Sequence, residues 1–404
     1  MDFFLAKQPI FDRQQRVFGY DIMHKAYSKR PNLVNADEIT LEVINTLLLV
    51  TGLDTLTRGK KAFIGFTKTL LENETAILLP PESIGIEINS KDLNEKVFSA
   101  CQALKKKEYT LALKNFNGQK ECLPFVEVFD IAKICFEKTD AKQREEIFNN
   151  CKNEKIHFLA ENVETRDSLN QALNLGYSYF QGSVFSKPEV ISGRDIISFK
   201  PTYLLLLHEV FQSDIDFDKV EKYIKQDVSL SYKLLKYINS LKFGFRTEIH
   251  SIKQAIVILG RKGLVQWISL VALKSLSNNK PEELFFSAIY RAKFCELIAL
   301  NTHLREQSSD LFLMGMFSLI DAILDQPLNQ VLNDLPLSME IKEALLGEKN
   351  PYSRVYDLIL NYEKGNWEQV ATDALLLNLK ENQLVYFYLD SLKYADTVQL
   401  AQAG

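Results

Sequence analysis

The sequence predicts an α/β domain followed by an all-α domain, and three patterns carry that reading. Through the first half, short apolar runs alternate with segments of helical periodicity. From Tyr203 onward nearly every segment has helical spacing and no strand-like run interrupts it. Between the two, Gly193-Arg194 and Lys200-Pro201 punctuate a linker of mixed polarity. At 404 residues the chain exceeds one typical domain, and its 46% hydrophobic content fills two cores. The division is expected at 1–198 and 199–404.

Taken in order, Phe3 to Leu5 and Arg16 to Tyr20 are strand-like and flank Phe11-Asp12-Arg13-Gln14-Gln15, which reads as a hairpin. A polar loop around Pro31-Asn32 leads to helical spacing over Ala36 to Val50. Apolar runs follow at Phe63 to Phe66, Ile84 to Ile88, Thr110 to Leu113 and Ile131 to Ile134, with helical segments at Leu93 to Lys106 and Ala141 to Cys151. Strand alternating with helix predicts parallel pairing. The run Ile156 to Ala160 then ends abruptly in Glu161 and Glu164, as a buried strand opening into a polar loop would. Leu169, Ala172, Leu173 and Leu175 keep helical spacing, Gly176 is placed to stop that helix, and Tyr177 to Phe180 reads as the next strand before Gln181-Gly182. Polar residues at the carboxyl ends of parallel strands converge in α/β barrels, so Glu161, Glu164 and Gln181 form a candidate site. On spacing alone, the two glutamates read more simply as solvated loop charge.

Composition excludes several classes. A net charge of -4 gives no general drive toward nucleic acid or an anionic membrane. Lys105-Lys106-Lys107 is the one basic run and reads as a solvated helix C-terminus. The start MDFFLAKQPI lacks a signal-peptide pattern, and no apolar run approaches bilayer length, so a cytoplasmic protein without membrane contact is expected. Five cysteines at 101, 122, 135, 151 and 295 show no CxxC spacing, which argues against a disulfide framework or a zinc site. Reduced, mostly buried thiols are expected.

Ala160-Glu161-Asn162-Val163-Glu164-Thr165, with Gln181-Gly182 and Ser186-Lys187-Pro188, closely resembles the last signature of the EAL domain family. That family consists of bacterial cyclic di-GMP phosphodiesterases, and the resemblance implies a (β/α)8-like barrel with a reversed first strand. It further implies two divalent cations clamped by carboxylates, one activating water and both absorbing charge on the phosphate. Glu87, in Ile84-Gly85-Ile86-Glu87-Ile88, matches a family metal ligand, and Lys133, in Ile131-Ala132-Lys133-Ile134, matches the family's lysine. Asp21 stands where the name-giving glutamate belongs, and Gly65 where an asparagine ligand is expected. Leu113-Lys114-Asn115-Phe116-Asn117 occupies the place of the family's Asp-Asp-Phe-Gly, with Lys114 and Asn115 where the resemblance puts both aspartates. Formal charge there changes from about -2 to about +1, and unit charges ~4 Å apart interact by ~4 kcal/mol at a dielectric of about 20. A metal is opposed, and the Lys114 ammonium is expected among Glu87, Glu161 and Glu164. The alternative is Lys114 reaching to solvent beside an open site. Connections before Phe63 and between Lys133 and Glu161 also look short for the family.

In the second domain, Asp227 to Ser240 reads as one helix with Leu230, Leu234, Leu235 and Ile238 on one face. Ser251 to Gly260 gives a second helix, stopped by glycine. These resemble the HDOD domain, a helical bundle related to HD-type metal phosphohydrolases. Ser318 and Leu319, in Gly315-Met316-Phe317-Ser318-Leu319-Ile320-Asp321, stand where the His-Asp metal pair of such enzymes would be. His208, His250 and His303 lack ligand spacing. Cys295 reads as core rather than nucleophile, and Tyr362, Trp367, Tyr386 and Tyr388 as packing within the bundle or an interface.

The whole chain resembles the EAL-HDOD proteins of bacterial signalling. The resemblance, with its metal ligands lost in both domains, implies a regulatory adaptor without enzymatic activity that acts through protein partners, in pathways such as motility or surface behaviour. No cofactor is expected, and a homodimer through the barrel is compatible with this reading. Two alternatives stay open: a cyclic di-GMP receptor that binds without cleaving, with Lys114 and Lys133 able to hold a phosphate, or a weak phosphodiesterase using Asp21, Glu87, Glu161 and Glu164 with magnesium or manganese.

Overall fold

A computed structural model describes residues 3–26, 36–45, 53–119, 121–151, 155–186, 201–212, 214–239, 249–277 and 280–403. Lys187-Pro188, the linker up to Lys200, the loop at Pro31-Asn32, the end of the first helix at 46–50 and Ser240 lie outside them. Contacts divide the chain into two units. One comprises residues 1–185 with 361–371 and 381–385, the other 186–360 with 372–380 and 386–404.

The first unit is built on a closed eight-stranded barrel, in the order β1 to β8. Strand β1 (Phe3–Asp12) and β2 (Val17–Ala26) form the hairpin, both longer than the apolar runs suggested. Their pairing runs from Phe3↔Ala26 to Phe11↔Val17, past both apolar runs. The remaining strands are β3 (Lys61–Gly65), β4 (Ile84–Asn89), β5 (Thr110–Lys114), β6 (Ile131–Cys135), β7 (His157–Glu161) and β8 (Tyr179–Phe180). From β2 to β8 every pairing is parallel, while β1 is antiparallel to both β2 and β8. This is the reversed first strand.

Intervening helices are fixed by local signals. Asn94 caps the helix Glu95–Lys106, Asp140 and Gln143 close a capping box on Ala141–Asn150, and Thr165 caps Arg166–Leu175. Gly176 ends the last of these in a left-handed turn with φ 98°.

One end of the barrel is filled by Ile10, Phe63, Ala112, Ile131 and Leu159, with Phe18 and Tyr179 packed on them. The fully buried Phe63 ring occupies space cleared by glycine: a Cβ on Gly85 would lie 2.5 Å from it, and one on Gly19 2.9 Å. Burying such a ring contributes roughly 1.5–3 kcal/mol. Because side chains alternate along each strand, the next inward positions form a second layer nearer the carboxyl ends, and that layer is polar.

Residues 361–371 belong to the barrel unit although they lie near the C-terminus. The Tyr362 hydroxyl donates to the Leu5 carbonyl at 2.8 Å, and Trp367 stacks on Phe4 with centroids 5.1 Å apart. The two aromatics therefore pack on β1, which corrects the expectation that they pack inside the helical bundle. Tyr388 does pack there, against Tyr290 and Phe294, while Tyr386 is half exposed.

The second unit is helical. Asp227 caps the helix Val228–Ile238 through the amides of Ser229 and Leu230, with Leu230, Leu234 and Ile238 buried. Gly260, with φ 60°, interrupts helical geometry as expected, but the chain resumes its helix at once, so Ile252–Leu276 is continuous apart from that kink. This segment corrects a second expectation. By length and composition it is apolar enough to cross a membrane, and 56% of its most apolar window is buried inside the protein, as in a core helix. Helix Glu282–Leu300 crosses Ser308–Phe317 closely at Gly315, where a Cβ would lie 2.5 Å from the Arg291 carbonyl. All five cysteines are buried and none forms a disulfide.

Candidate functional site

The polar layer takes one residue from every strand: Gln8, Asp21, Gly65, Glu87, Lys114, Lys133, Glu161 and, just past β8, Gln181. Register explains the convergence. Gln8 is paired with Asp21 and Gly65 with Glu87, while Lys114 lies opposite Asn89 and Glu161 opposite Cys135, two residues past Glu87 and Lys133, so the layer follows the stagger of the strands around the barrel.

Lys133 is the centre. Its side chain is fully buried, with its ammonium 2.9 Å from Asp21 Oδ2, 3.5 Å from Glu161 Oε1 and paired with Glu87 Oε1. Lys114, about a third exposed, stands 3.3 Å from Glu87 Oε2 and 3.6 Å from Asp21 Oδ2. Three acids thus surround two ammonium groups in a site largely shut from water, where each charge needs its partners. Burial alone would raise Asp21, but Lys114 and Lys133 outweigh it and hold its carboxyl well below the usual range. Asp21 and Glu87 in turn hold Lys114 far above the ordinary lysine value. Burial would lower Lys133, yet Asp21, Glu87 and Glu161 raise it. Glu161 goes the other way: burial pushes it up more than the two lysines pull it down.

Gln181 donates to Gln8 Oε1 at 2.6 Å and to Asp21 Oδ2 at 3.3 Å. Asp21 Oδ1 and Gln181 Oε1 remain buried without a hydrogen-bond partner, two acceptors that a water or a ligand donor would satisfy. Gln8 was missed from the sequence, because only the hairpin register brings it beside Asp21.

Two expected members lie elsewhere. Asn115 is exposed in a left-handed turn, φ 56°, and its carbonyl accepts from the Ser90 hydroxyl at 2.9 Å. Glu164 is exposed on the loop after β7 and not buried with the others. Lys114 accordingly meets Asp21 and Glu87 at close range, where Glu87, Glu161 and Glu164 were expected.

Gly65, Glu87 and Lys114 of this layer line a cavity of about 990 Å³, whose walls also include His24, Lys25, Asp37, Thr67 and Trp367. The family's pair of divalent cations does not fit these residues as they stand. Among the described residues no group of three or more His, Cys, Asp or Glu presents itself to a metal ion. The acids already share two ammonium groups, and Gly65 supplies no oxygen where its side chain would be.

In the second unit, the Ser318 hydroxyl accepts from the Arg291 guanidinium at 3.1 Å and donates to the Gly315 carbonyl at 2.7 Å. Leu319 is buried in the core. A buried cation, Arg291, thus stands beside Ser318. His208, His250 and His303 are all exposed.

The comparisons with known proteins agree on family. The model of the HDOD domain matches residues 196–333. An uncharacterized Bacillus subtilis protein, YuxH, is 34% identical over the full length of both chains. The cyclic di-GMP phosphodiesterase CdgJ of Vibrio cholerae is 33% identical over 93% of this chain and 88% of its own. The Bacillus subtilis YkuI protein, with an EAL domain and solved in complex with substrate c-di-GMP and calcium, aligns over 60% of this chain and 64% of its own. That alignment has a TM-score of 0.38 and 18% identity.

The expectation of a chain without enzymatic activity is corrected here. A relative similar over nearly the whole length carries the name of a phosphodiesterase, so the altered carboxylates do not remove this chain from an enzyme family. With an eight-stranded barrel whose first strand is reversed, an HDOD region behind it and full-length relatives above 30% identity, the chain belongs to the EAL-HDOD family of cyclic di-GMP signalling proteins.

Proposed function

We propose that this protein is a regulatory component of cyclic di-GMP signalling, whose barrel mouth takes the dinucleotide and whose output passes through contacts with other proteins. The observation that carries the reading is Lys114: a cation rises from a buried acidic layer into the floor of a cavity of nucleotide size. Lys25 and Lys68 line the same cavity and supply further positive charge for two phosphates. The reading places the protein in the cytoplasm, a compartment that suits five cysteines outside any disulfide.

Calorimetry of the full chain with cyclic di-GMP tests it. Saturable one-to-one binding that weakens at least tenfold in Lys114→Met is expected, and an absence of binding heat across the micromolar range overturns it. A second reading, hydrolysis of the dinucleotide, is favoured by identity with the Vibrio cholerae relative. Chromatography of the same mixtures for linear product separates binding from turnover. Pull-down from the native host identifies the partners, and light scattering distinguishes one chain from a homodimer.

A further inference from the structure

The cavity above the polar layer is bordered by more than barrel loops. Trp367 and Glu368 line it, and both belong to the 361–371 segment that groups with the barrel unit. The segment is anchored. Trp367 lies flat on Phe4 with an interplanar angle of 4°, Tyr362 meets the Trp367 edge at 87°, and Gly365 turns with φ 67° against Met23. Trp367 is 8% exposed, so this wall is packed against the barrel. Glu368 is different: its side chain is 89% exposed and lies 3.5 Å from Lys25, at the rim of the same cavity.

Guanine presents two adjacent donors, its ring N1–H and exocyclic amine, on one edge. A carboxylate accepts both at once, and an apolar wall beside it shields the pair from water. Adenine offers an acceptor at the corresponding ring nitrogen and cannot make that pair.

We propose that Glu368 reads one guanine base of a cyclic dinucleotide against the Trp367 wall, so that residues 361–371 complete the site begun by Lys114. This rests on the cyclic di-GMP reading of the cavity. It assigns base selectivity to a part of the chain remote in sequence from every barrel strand. Lys25 exchanges its exposed pairing with Glu368 for the neighbouring phosphate.

The test uses the full chain, with calorimetry against cyclic di-GMP and cyclic di-AMP and hydrogen exchange over 361–371. Glu368→Ala is expected to weaken cyclic di-GMP binding about tenfold or more while leaving cyclic di-AMP binding unchanged. Ligand is expected to slow exchange in 361–371, a readout that needs no substitution. If wild-type protein binds cyclic di-GMP but Glu368→Ala binds it equally well, or 361–371 gains no protection, the Glu368 assignment fails and the cavity reading survives. If wild-type protein does not bind cyclic di-GMP, both fall together.

Discussion

The Lys114 ammonium, at the end of strand β5, stands 3.3 Å from the Glu87 carboxylate. With Lys133 below it, the layer holds three acids and two bases, and the consequences are electrostatic.

The two lysines differ in burial, so their removal should differ in cost. Lys133→Met leaves Asp21, Glu87 and Glu161 without their central partner and should destabilise the barrel by about 3–5 kcal/mol. Lys114→Met, at a position about a third exposed, should cost roughly 1 kcal/mol. Urea unfolding followed by circular dichroism gives both values. Equal losses for the two variants would contradict the burial argument.

Restoring acids should restore a cation site. Lys114→Asp alone changes the charge at that position from about +1 to about -1, and manganese binding should strengthen in calorimetry. Wild-type protein that already binds manganese as tightly as the Lys114→Asp variant would refute the claim that Lys114 opposes a metal.

Stability should fall at both ends of the pH scale. Asp21 is held low by the lysines, so its contribution is present above about pH 4 and lost as pH falls through its depressed folded value. Lys114 and Lys133 are held high, so theirs is full below about pH 10.4 and lost as pH rises through their raised values. Glu161, raised by burial, opposes the acid limb, because its stabilising effect declines as pH rises past the ordinary carboxylate value. Urea midpoints at pH 3, 7 and 11.5 should peak in the middle, and Asp21→Asn should flatten the acid side. An acid limb unchanged in that variant would assign the pH dependence elsewhere.

The helical unit has its own close approach. Gly315→Ala would set a methyl 2.5 Å from the Arg291 carbonyl and push two helices apart, at a cost of about 1–3 kcal/mol. Differential scanning calorimetry should show the lower transition temperature, and an unchanged one would mean the helices separate freely.

The sequence by itself determined the strand and helix order, the stop at Gly176, the helical second half and the family, because each is written in short-range patterns. It also placed Asp21, Glu87, Lys133 and Glu161 near strand ends. Only the tertiary structure decided which groups share charge. Hairpin register brings Gln8 beside Asp21, a left-handed turn carries Asn115 out to solvent, and the loop after β7 leaves Glu164 exposed. Tertiary packing likewise brought Tyr362 to Leu5 across 357 residues and stacked Trp367 on Phe4. Contacts between distant segments depend on how the chain closes in space, and periodicity within a segment carries no record of that closure.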